Sequence, residues 1–505
     1  MPFTSLNRRL LASTIASAGV YAGFGATYIT AATAVALGLA AIFTHRGPRD
    51  PTLTVQDRCL MNQERLCFGA VPGCGTMAVA MHVEALPSIA TASSVMRKVI
   101  AKFPRFGCVV QEELALEDVT WKRVDVDLTK HLVEHALVSA DNLSAKLDEL
   151  INTDLPRDQP LWRFDLLTVG KGGGGCVLLR ASHALGDGLR LIGAAGDFLS
   201  FGDGSPATLE VVERMSRNKL SIPPRGPVGL LYDFVAVATM DKVRDEDKTP
   251  FHAPGAIFKR EEPRANVSAS VPLEHVKAIR AASPPGTTLN DVILACLCGA
   301  LQKYAASIGE PLEGDPLVRA LCAVSMPRQA SRGKDEMYND FLLPSIKLPL
   351  SAATYSGRLE QVKRVMAETK ASRSGYIMGK LLTVLSRLGL DALVGNTQLT
   401  VFGKHAFVYS NLPGFTQPVH LFGESKAKLT AFEAYYPNLV SQLLFLSYNG
   451  QLTCSLSTVK STIKEPKKLV DAFAKEVEDV WAVSLVGGSE SKRAFAEMLL
   501  KATQG

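Results

Sequence analysis

The sequence has no C-x-x-C pair, although it contains nine cysteines. Their scattered positions exclude a zinc ribbon and a dithiol redox centre, because both need closely spaced thiols. Several cysteines stand inside apolar runs, such as Cys296 and Cys298 in VILACLCGAL. We therefore expect reduced, buried cysteines in a body that faces the cytosol.

Low-complexity tracts and strong charge are also missing. Charged residues make up 21% of the 505 residues and apolar residues 47%, which excludes a disordered or fibrous chain. The net charge of +6 is small for 54.2 kDa, so we expect no nucleic-acid partner. The length predicts two large domains or about three smaller ones.

Charged residues are absent from one stretch, Leu10 to Thr44. It exceeds the roughly 20 residues that span a bilayer, but it is rich in alanine and glycine, so insertion would be modest. We predict a hydrophobic helix in 1–50 that anchors the protein in a membrane. A cleaved signal or organelle-targeting segment and a buried or interfacial helix are the alternatives.

The remaining chain alternates between short apolar runs and stretches with helical periodicity. The predicted strands are Ala78–Val83, Val177–Ala181, Leu317–Val324, Phe341–Leu348, Phe407–Tyr409 and Leu443–Tyr448. The predicted helices are Ser88–Lys102, Ala145–Ile151, Leu189–Phe201, Asn290–Ala305, Tyr355–Thr369 and Pro466–Val483.

A polar, proline-rich and charged passage at 210–264 has the composition of a crossover. It separates a first half, 51–209, from a second half, 265–505. The alternation of elements is too irregular for a doubly wound sheet. We predict an α/β (α+β) fold of two mixed-sheet halves joined by this crossover.

The segment GGGGCVLLRASHALGDGLRLIGAAGDF (172–198) is the most informative. Its glycines lack a following Lys-Ser/Thr, which argues against a phosphate loop. His183 falls at the end of the predicted strand CVLLRAS, before a glycine-rich turn that holds Asp187 and Gly188. A histidine fixed there is well placed as a general base, and glycines allow a substrate to approach. A core histidine is the structural alternative.

This segment resembles the H-H-x-x-x-D-G motif of the wax ester synthase/diacylglycerol acyltransferases, relatives of condensation domains and chloramphenicol acetyltransferase. Four further blocks resemble that family in the same order along the chain. They are VDVDLTKH (124–131), Pro160-Leu161-Trp162, Asn290-Asp291 and Ser410-Asn411-Leu412-Pro413-Gly414. The similarity extends from about Thr52 to Val483, and it implies two chloramphenicol-acetyltransferase-like halves.

Two positions depart from the family pattern. Ser182 replaces the first histidine of the motif, while the second, to which the family's catalysis is assigned, is His183. Tyr338-Asn339-Asp340 stands where the family more often has Gly-Asn, and the sequence alone assigns no role there.

The resemblance implies transfer of a fatty acyl group from acyl-CoA, as co-substrate, to a long-chain alcohol or a diacylglycerol. His183 would be the general base, and Asp187 would brace the turn or an arginine. Turn amides near Gly188 and the side chain of Asn290 are candidates to stabilise the oxyanion. No cofactor, metal or acyl-enzyme is expected. Lipid substrates favour a membrane location, with the endoplasmic reticulum as the expected membrane.

Some alternatives remain open. Asn290 and Asp291 are expected to support the active site together with Gly188. The pair also has the pattern of a helix N-terminus, because Thr288 and Asp291 are spaced almost as in a capping box, so capping alone is the alternative to a role in shaping the site. His131-x-x-Glu134-His135 has the spacing of a zinc site, but a zinc site needs both histidines on one helix face and the segment follows a strand-like stretch. The protein could instead acylate a different acceptor, or be a non-catalytic, membrane-tethered lipid-binding protein.

Overall fold

The structure is a computed structural model. It describes residues 53–67, 73–111, 119–170, 174–209, 247–252, 262–326, 329, 332–333, 335–387, 394 and 399–486. The predicted N-terminal helix in 1–50 lies outside these ranges, as does most of the predicted crossover at 210–264. The division into domains therefore stays a prediction.

Helices and strands alternate along the described chain. The helices are α1 (Val55–Cys67), α2 (Ile89–Lys102), α3 (Leu143–Ile151), α4 (Gly188–Ala195), α5 (Leu273–Ala282), α6 (Leu289–Ser307), α7 (Tyr355–Ala371), α8 (Ser374–Arg387) and α9 (Pro466–Val486).

The strands are β1 (Thr76–Val83), β2 (Cys108–Gln111), β3 (Thr120–Arg123), β4 (Leu132–Val138), β5 (Trp162–Val169), β6 (Gly175–Ser182), β7 (Leu199–Ser200), β8 (Arg264–Pro272), β9 (Arg319–Cys322), β10 (Val324–Ser325), β11 (Phe341–Leu342), β12 (Ser345–Lys347), β13 (Phe407–Leu412), β14 (His420–Leu421), β15 (Leu429–Tyr435), β16 (Ser441–Tyr448) and β17 (Gln451–Val459).

The first sheet has five strands in the order β15-β1-β6-β5-β4. Only β4 and β5 are parallel. Alternate residues of β6 face opposite sides of the sheet. Val177 packs against α2 on one side, and Cys176 and Leu178 pack against α3 on the other. Burial on both faces explains why β6 is an almost continuous apolar run.

The second sheet has six strands in the order β12-β9-β13-β16-β17-β8. Strand β13 is parallel to both of its neighbours, and the other pairs are antiparallel. Helix α6 packs in the core of this sheet with α7 and α9, and its apolar residues are almost fully buried. A helix that is apolar on every side needs such an enclosed position.

The two sheets are joined by strand exchange. Strand β15 comes from the second half of the chain, yet it pairs with β1 of the first half, Ala78 opposite Tyr435 and Ala80 opposite Glu433. The next strand, β16, returns to the second sheet. The prediction of two mixed sheets is confirmed, and this exchange holds them together.

Several local predictions were wrong. The strands predicted over Leu317–Val324 and Phe341–Leu348 are each divided: β9 and β12 lie in the six-stranded sheet, whereas β10 and β11 pair with each other. The helix predicted over Leu189–Phe201 ends at Ala195, after which the chain forms a turn and Leu199 pairs with Leu421. The stretch VDVDLT is not a strand but leads into a 3₁₀ turn over Leu128–Lys130. The Asp127 carboxylate caps that turn by accepting a hydrogen bond from the Thr129 amide at 3.1 Å.

The described cysteines agree with the expectation that these residues are reduced and mostly buried. The eight whose side chains are described are all free, and all but Cys59 are buried. Within the described ranges, no helix combines the length and apolar character needed to cross a bilayer.

Candidate active site

His183 stands at the point where β6 ends. Its amide donates to the carbonyl of Gly75, just before β1, at 2.9 Å. The chain then forms a single 3₁₀ turn over His183–Leu185, and the buried Ser182 hydroxyl accepts from the Ala184 amide at 3.1 Å. The serine that replaces the family's first histidine therefore caps the turn that carries His183.

The His183 imidazole lines a cavity of about 710 Å³. The wall is mainly apolar and comes from both sheets, with Met77 from the first sheet and Leu321, Leu412 and Leu444 from the second among its residues. Apolar cavities of this size with a few polar groups are typical of sites for small organic ligands.

One ring nitrogen of His183 is engaged. Nδ1 lies 2.9 Å from Oδ1 of Asn339. None of the described residues hydrogen-bonds to the other nitrogen, Nε2. The ring also packs beside the aromatic rings of Phe341 and Tyr436, at centroid distances of 5.5 and 5.1 Å.

The surroundings keep this imidazole neutral. Burial lowers the pKa of His183 below its ordinary value of 6.5, and this effect outweighs the opposing influence of its own carbonyl, the Asn339 side chain and the Asp57 charge. A neutral imidazole is the form that can accept a proton.

Asn339 is itself held by a buried carboxylate. Its backbone amide and its side-chain Nδ2 both donate to Oδ1 of Asp57, each at 3.0 Å. Arg105 donates to both carboxylate oxygens of Asp57, at 2.8 and 3.0 Å. Burial alone would raise the pKa of Asp57, but the Arg105 charge and these hydrogen bonds lower it, so the carboxylate is ionised.

Asp187 faces Arg190 rather than His183. Its carboxylate caps α4 by accepting from the Arg190 amide at 3.2 Å, and it forms an ion pair with the Arg190 guanidinium. It also accepts from the Asp340 amide at 3.1 Å. Asp187 therefore braces the turn after His183 and ties it to the segment that carries Asn339.

Gly188 and Asn290 both line the cavity. Gly188 is the first residue of α4, where a Cβ atom would lie 3.3 Å from a methyl group of Leu412. Oδ1 of Asn290 accepts from the Tyr409 hydroxyl at 2.7 Å and from Nδ2 of Asn411 at 3.2 Å. These two bonds occupy the amide oxygen of Asn290 and leave its NH₂ group as the donor.

Asp291 has a different position from its neighbour Asn290. Its carboxylate accepts from the Thr288 amide at 2.8 Å, and the Thr288 hydroxyl accepts from the Asp291 amide at 3.2 Å. This is a complete capping box, and Asp291 is not among the cavity-lining residues. Asp291 is therefore a capping residue, whereas Asn290 lines the cavity.

The H-x-x-E-H segment is not on a helix, because His131 directly precedes β4 and the other four residues lie on that strand. Nδ1 of His131 is 2.6 Å from the Trp162 carbonyl, and its ring stacks on the Trp162 indole. Nε2 of His135 is 2.8 Å from the Asp165 carboxylate. Over the part of the chain that the structure describes, no group of three or more histidine, cysteine or acidic residues is arranged to hold a metal ion.

Sequence reasoning missed residues from distant parts of the chain that hold His183 or Asn290 in place. Asn339 was assigned no role, and Asp57, Arg105 and Tyr409 were not considered. The one signal in the sequence was Tyr338-Asn339-Asp340, because these residues stand where the family more often has Gly-Asn.

Comparison with known proteins identifies the family of the chain. Residues 74–293 match the model of the wax ester synthase/diacylglycerol acyltransferase catalytic domain, and residues 339–480 match the model of the WS/DGAT C-terminal domain. The chain is 24% identical over 401 residues to a protein named as a probable diacylglycerol O-acyltransferase, Tgs4 of Mycobacterium tuberculosis. That match covers 71% of this chain and 81% of Tgs4.

Solved structures show the same fold. The wax ester synthase/diacylglycerol acyltransferase from Marinobacter aquaeolei VT8 matches with a TM-score of 0.55 at 18% identity, over 83% of this chain and 98% of its own. The first condensation domain of the calcium-dependent antibiotic synthetase matches with a TM-score of 0.57 at 13% identity, over 85% of this chain and 95% of its own. Because the two family models together match well over half of its length, the chain belongs to the wax ester synthase/diacylglycerol acyltransferase family and is an acyltransferase with the fold of condensation domains.

Proposed function

We propose that the protein transfers a fatty acyl group from acyl-CoA to the hydroxyl group of a lipid alcohol. The products would be a wax ester from a long-chain alcohol, triacylglycerol from a diacylglycerol, or both. The observation that carries this proposal is the position of His183, whose imidazole lines a largely apolar cavity of about 710 Å³. Such a cavity suits acyl and alkyl chains, which gain free energy when they leave water.

His183 acts as the general base through Nε2. An alcohol is a poor nucleophile at neutral pH, so Nε2 takes its proton as the oxygen attacks the thioester carbonyl. The tetrahedral intermediate then collapses, the C–S bond breaks, and the proton passes from Nε2 to the leaving thiolate. The products are an ester and free CoA, and His183 returns to its neutral form.

Asn290 is the candidate donor to the developing oxyanion. Its amide oxygen is occupied by Tyr409 and Asn411, so its NH₂ group remains for a ligand in the cavity. Backbone amides at the start of α4, near Gly188, are a second source of donors. Groups fixed in advance in this way stabilise charge as it develops, because little reorganisation is needed during the reaction.

We place this reaction at a membrane surface, with the catalytic body on the cytosolic side and the endoplasmic reticulum as the expected membrane. Both acceptors dissolve in bilayers, and the uncharged run from Leu10 to Thr44 is long enough to anchor the chain. An acyltransferase with a different acceptor and a non-catalytic lipid-binding protein are the competing hypotheses.

Product analysis separates these hypotheses. Membranes that contain the protein receive labelled acyl-CoA with either hexadecanol or a diacylglycerol, and the lipids are separated by thin-layer chromatography. Labelled wax ester or triacylglycerol, absent with the His183→Ala variant, supports the proposal. Release of CoA without either product indicates another acceptor, and lipid binding with no CoA release indicates a non-catalytic protein.

A further inference from the structure

The geometry points to Asn339, held by Asp57 and Arg105, as a positioning residue that fixes the Nδ1–H tautomer of His183 and so leaves Nε2 as the proton acceptor. This inference rests on the proposed function, in which Nε2 takes the proton of the alcohol.

The orientation of the Asn339 amide follows from its neighbours. Nδ2 lies 3.0 Å from the Asp57 carboxylate and 2.9 Å from the carbonyl oxygen of His183. Both of these groups can only accept hydrogen bonds, so the NH₂ group must face them. Oδ1 must therefore face the His183 ring.

The tautomer follows from the amide orientation. Because Oδ1 of Asn339 is an acceptor, Nδ1 of His183 satisfies it at 2.9 Å only when it carries the proton. A neutral imidazole has one N–H group, so Nε2 then has a free lone pair. The opposite tautomer would place two acceptors against each other and leave Nε2 unable to act as a base.

Asp57 makes this arrangement rigid. Its side chain is fully buried, and both oxygens bind Arg105, whose guanidinium also lies 3.3 Å from the Ala184 carbonyl. Asp57 also lies in the first turn of α1, where its carboxylate accepts from the Thr54 amide at 2.9 Å. The Thr54 hydroxyl in turn donates to the Asn339 carbonyl at 2.7 Å. Arg105 and Asn339, which are distant from Asp57 in sequence, thus both bind the Asp57 carboxylate.

Asp57 lies outside the region that the catalytic-domain model matches, which begins at residue 74, and Asn339 is the first residue matched by the C-terminal model. The positioning group, Asn339 with Asp57 and Arg105, is therefore assembled from segments before and after the turn that carries His183. Through Asn339, it links α1, the helix that follows the predicted anchor, to the His183 ring.

The test measures the tautomer itself. Full-length protein labelled with ¹⁵N-histidine gives imidazole nitrogen shifts that distinguish Nδ1–H from Nε2–H, and the His183 signals are those lost in His183→Ala. The wild-type protein is expected to show the Nδ1–H form. A wild-type signal from the Nε2–H form would overturn the inference without the need for any variant.

Two variants test the group that holds the tautomer. Asn339→Leu removes the acceptor at similar volume, and Asp57→Asn removes the charge that orients the Asn339 amide. Both should increase the Nε2–H population. They should also lower kcat for CoA release about 10- to 100-fold with little change in KM, the range found when a metal-binding histidine loses the partner that orients it. If both variants fold and keep the wild-type tautomer and kcat, the inference is wrong.

Asp165→Asn is the matched control. Asp165 is also a fully buried carboxylate that binds an arginine, Arg180 at 2.8 Å, and a histidine, His135 at 2.8 Å. Its loss should lower the melting temperature and leave the His183 signals unchanged. The shifts need no substrate, so they test the positioning role even if no acyl-CoA and alcohol pair yields an ester, an outcome that would reject the proposed function alone.

Discussion

The side-chain oxygen of Asn339 lies 2.9 Å from Nδ1 of His183, although 156 residues separate them in the chain. The contact brings a residue of the second half of the chain onto the turn that follows β6. Because the same ring lines the apolar cavity, one edge of the imidazole is held by the protein while the ring borders the space available to a ligand.

The pH dependence of the reaction follows from the environment of His183. Burial lowers the pKa of this imidazole below 6.5. A base is active when unprotonated, so activity is present above its pKa and is lost as the pH falls through it. We expect the acidic limb of kcat/KM, which reports the free enzyme, to lie below pH 6.5. A limb at or above this value would contradict the assignment.

Asp187 should matter for stability as well as rate. Asp187→Ala removes a helix cap and leaves the buried Arg190 without its partner, a change that typically costs about 3–5 kcal/mol in the free energy of unfolding. Asp187→Asn keeps an acceptor for the α4 cap and should cost less. Denaturant unfolding and turnover of both variants check this order. Wild-type stability and turnover in Asp187→Ala would show that the ion pair does not brace the turn.

Asn290 and Thr288 lie near the same end of α6 but should behave differently. Asn290→Ala removes the proposed oxyanion donor and should lower kcat on the order of 100-fold. Thr288→Ala removes the cap and should cost about 1 kcal/mol of stability with little effect on kcat. Steady-state kinetics and thermal unfolding of the two variants distinguish these roles. Equal kcat values for the two variants would remove Asn290 from the mechanism.

Deleting residues 1–45 tests the predicted anchor. The deletion removes the uncharged run from Leu10 to Thr44, so the protein should move from the membrane fraction to the supernatant. It should retain some activity toward detergent-solubilised alcohol, because every residue of the described site follows the deletion. Unchanged membrane association would show that another part of the chain also binds lipid.

Local elements of the site were predictable because they depend on neighbours in sequence. The strand, turn and helix around His183 follow from an apolar run, two glycines and an aspartate, and the structure has β6 and α4 there. The helix that begins near Asn290 was predicted for the same reason. Its capping box needs only Thr288 and Asp291, which are three residues apart.

The contacts that complete the site were not predictable in this way. Asp57, Asn339 and His183 meet only through the tertiary fold, and no spacing in the sequence brings them together. The exchange of β15 into the first sheet is also a long-range event, because it pairs residues that lie in different halves of the chain, such as Ala78 and Tyr435. The helix after Asp187 was predicted too long because periodicity continued past Gly196, where the chain turns to pair β7 with β14.

The role of His183 is tested most directly by comparing turnover of the wild-type protein with that of His183→Ala, using labelled acyl-CoA and hexadecanol or a diacylglycerol. Loss of the base should lower kcat by about 10²–10⁴-fold, while the melting temperature stays close to that of the wild type, because the ring lines a cavity and does not fill a core. Near-normal ester formation by a folded His183→Ala variant would contradict the assignment of His183 as the general base.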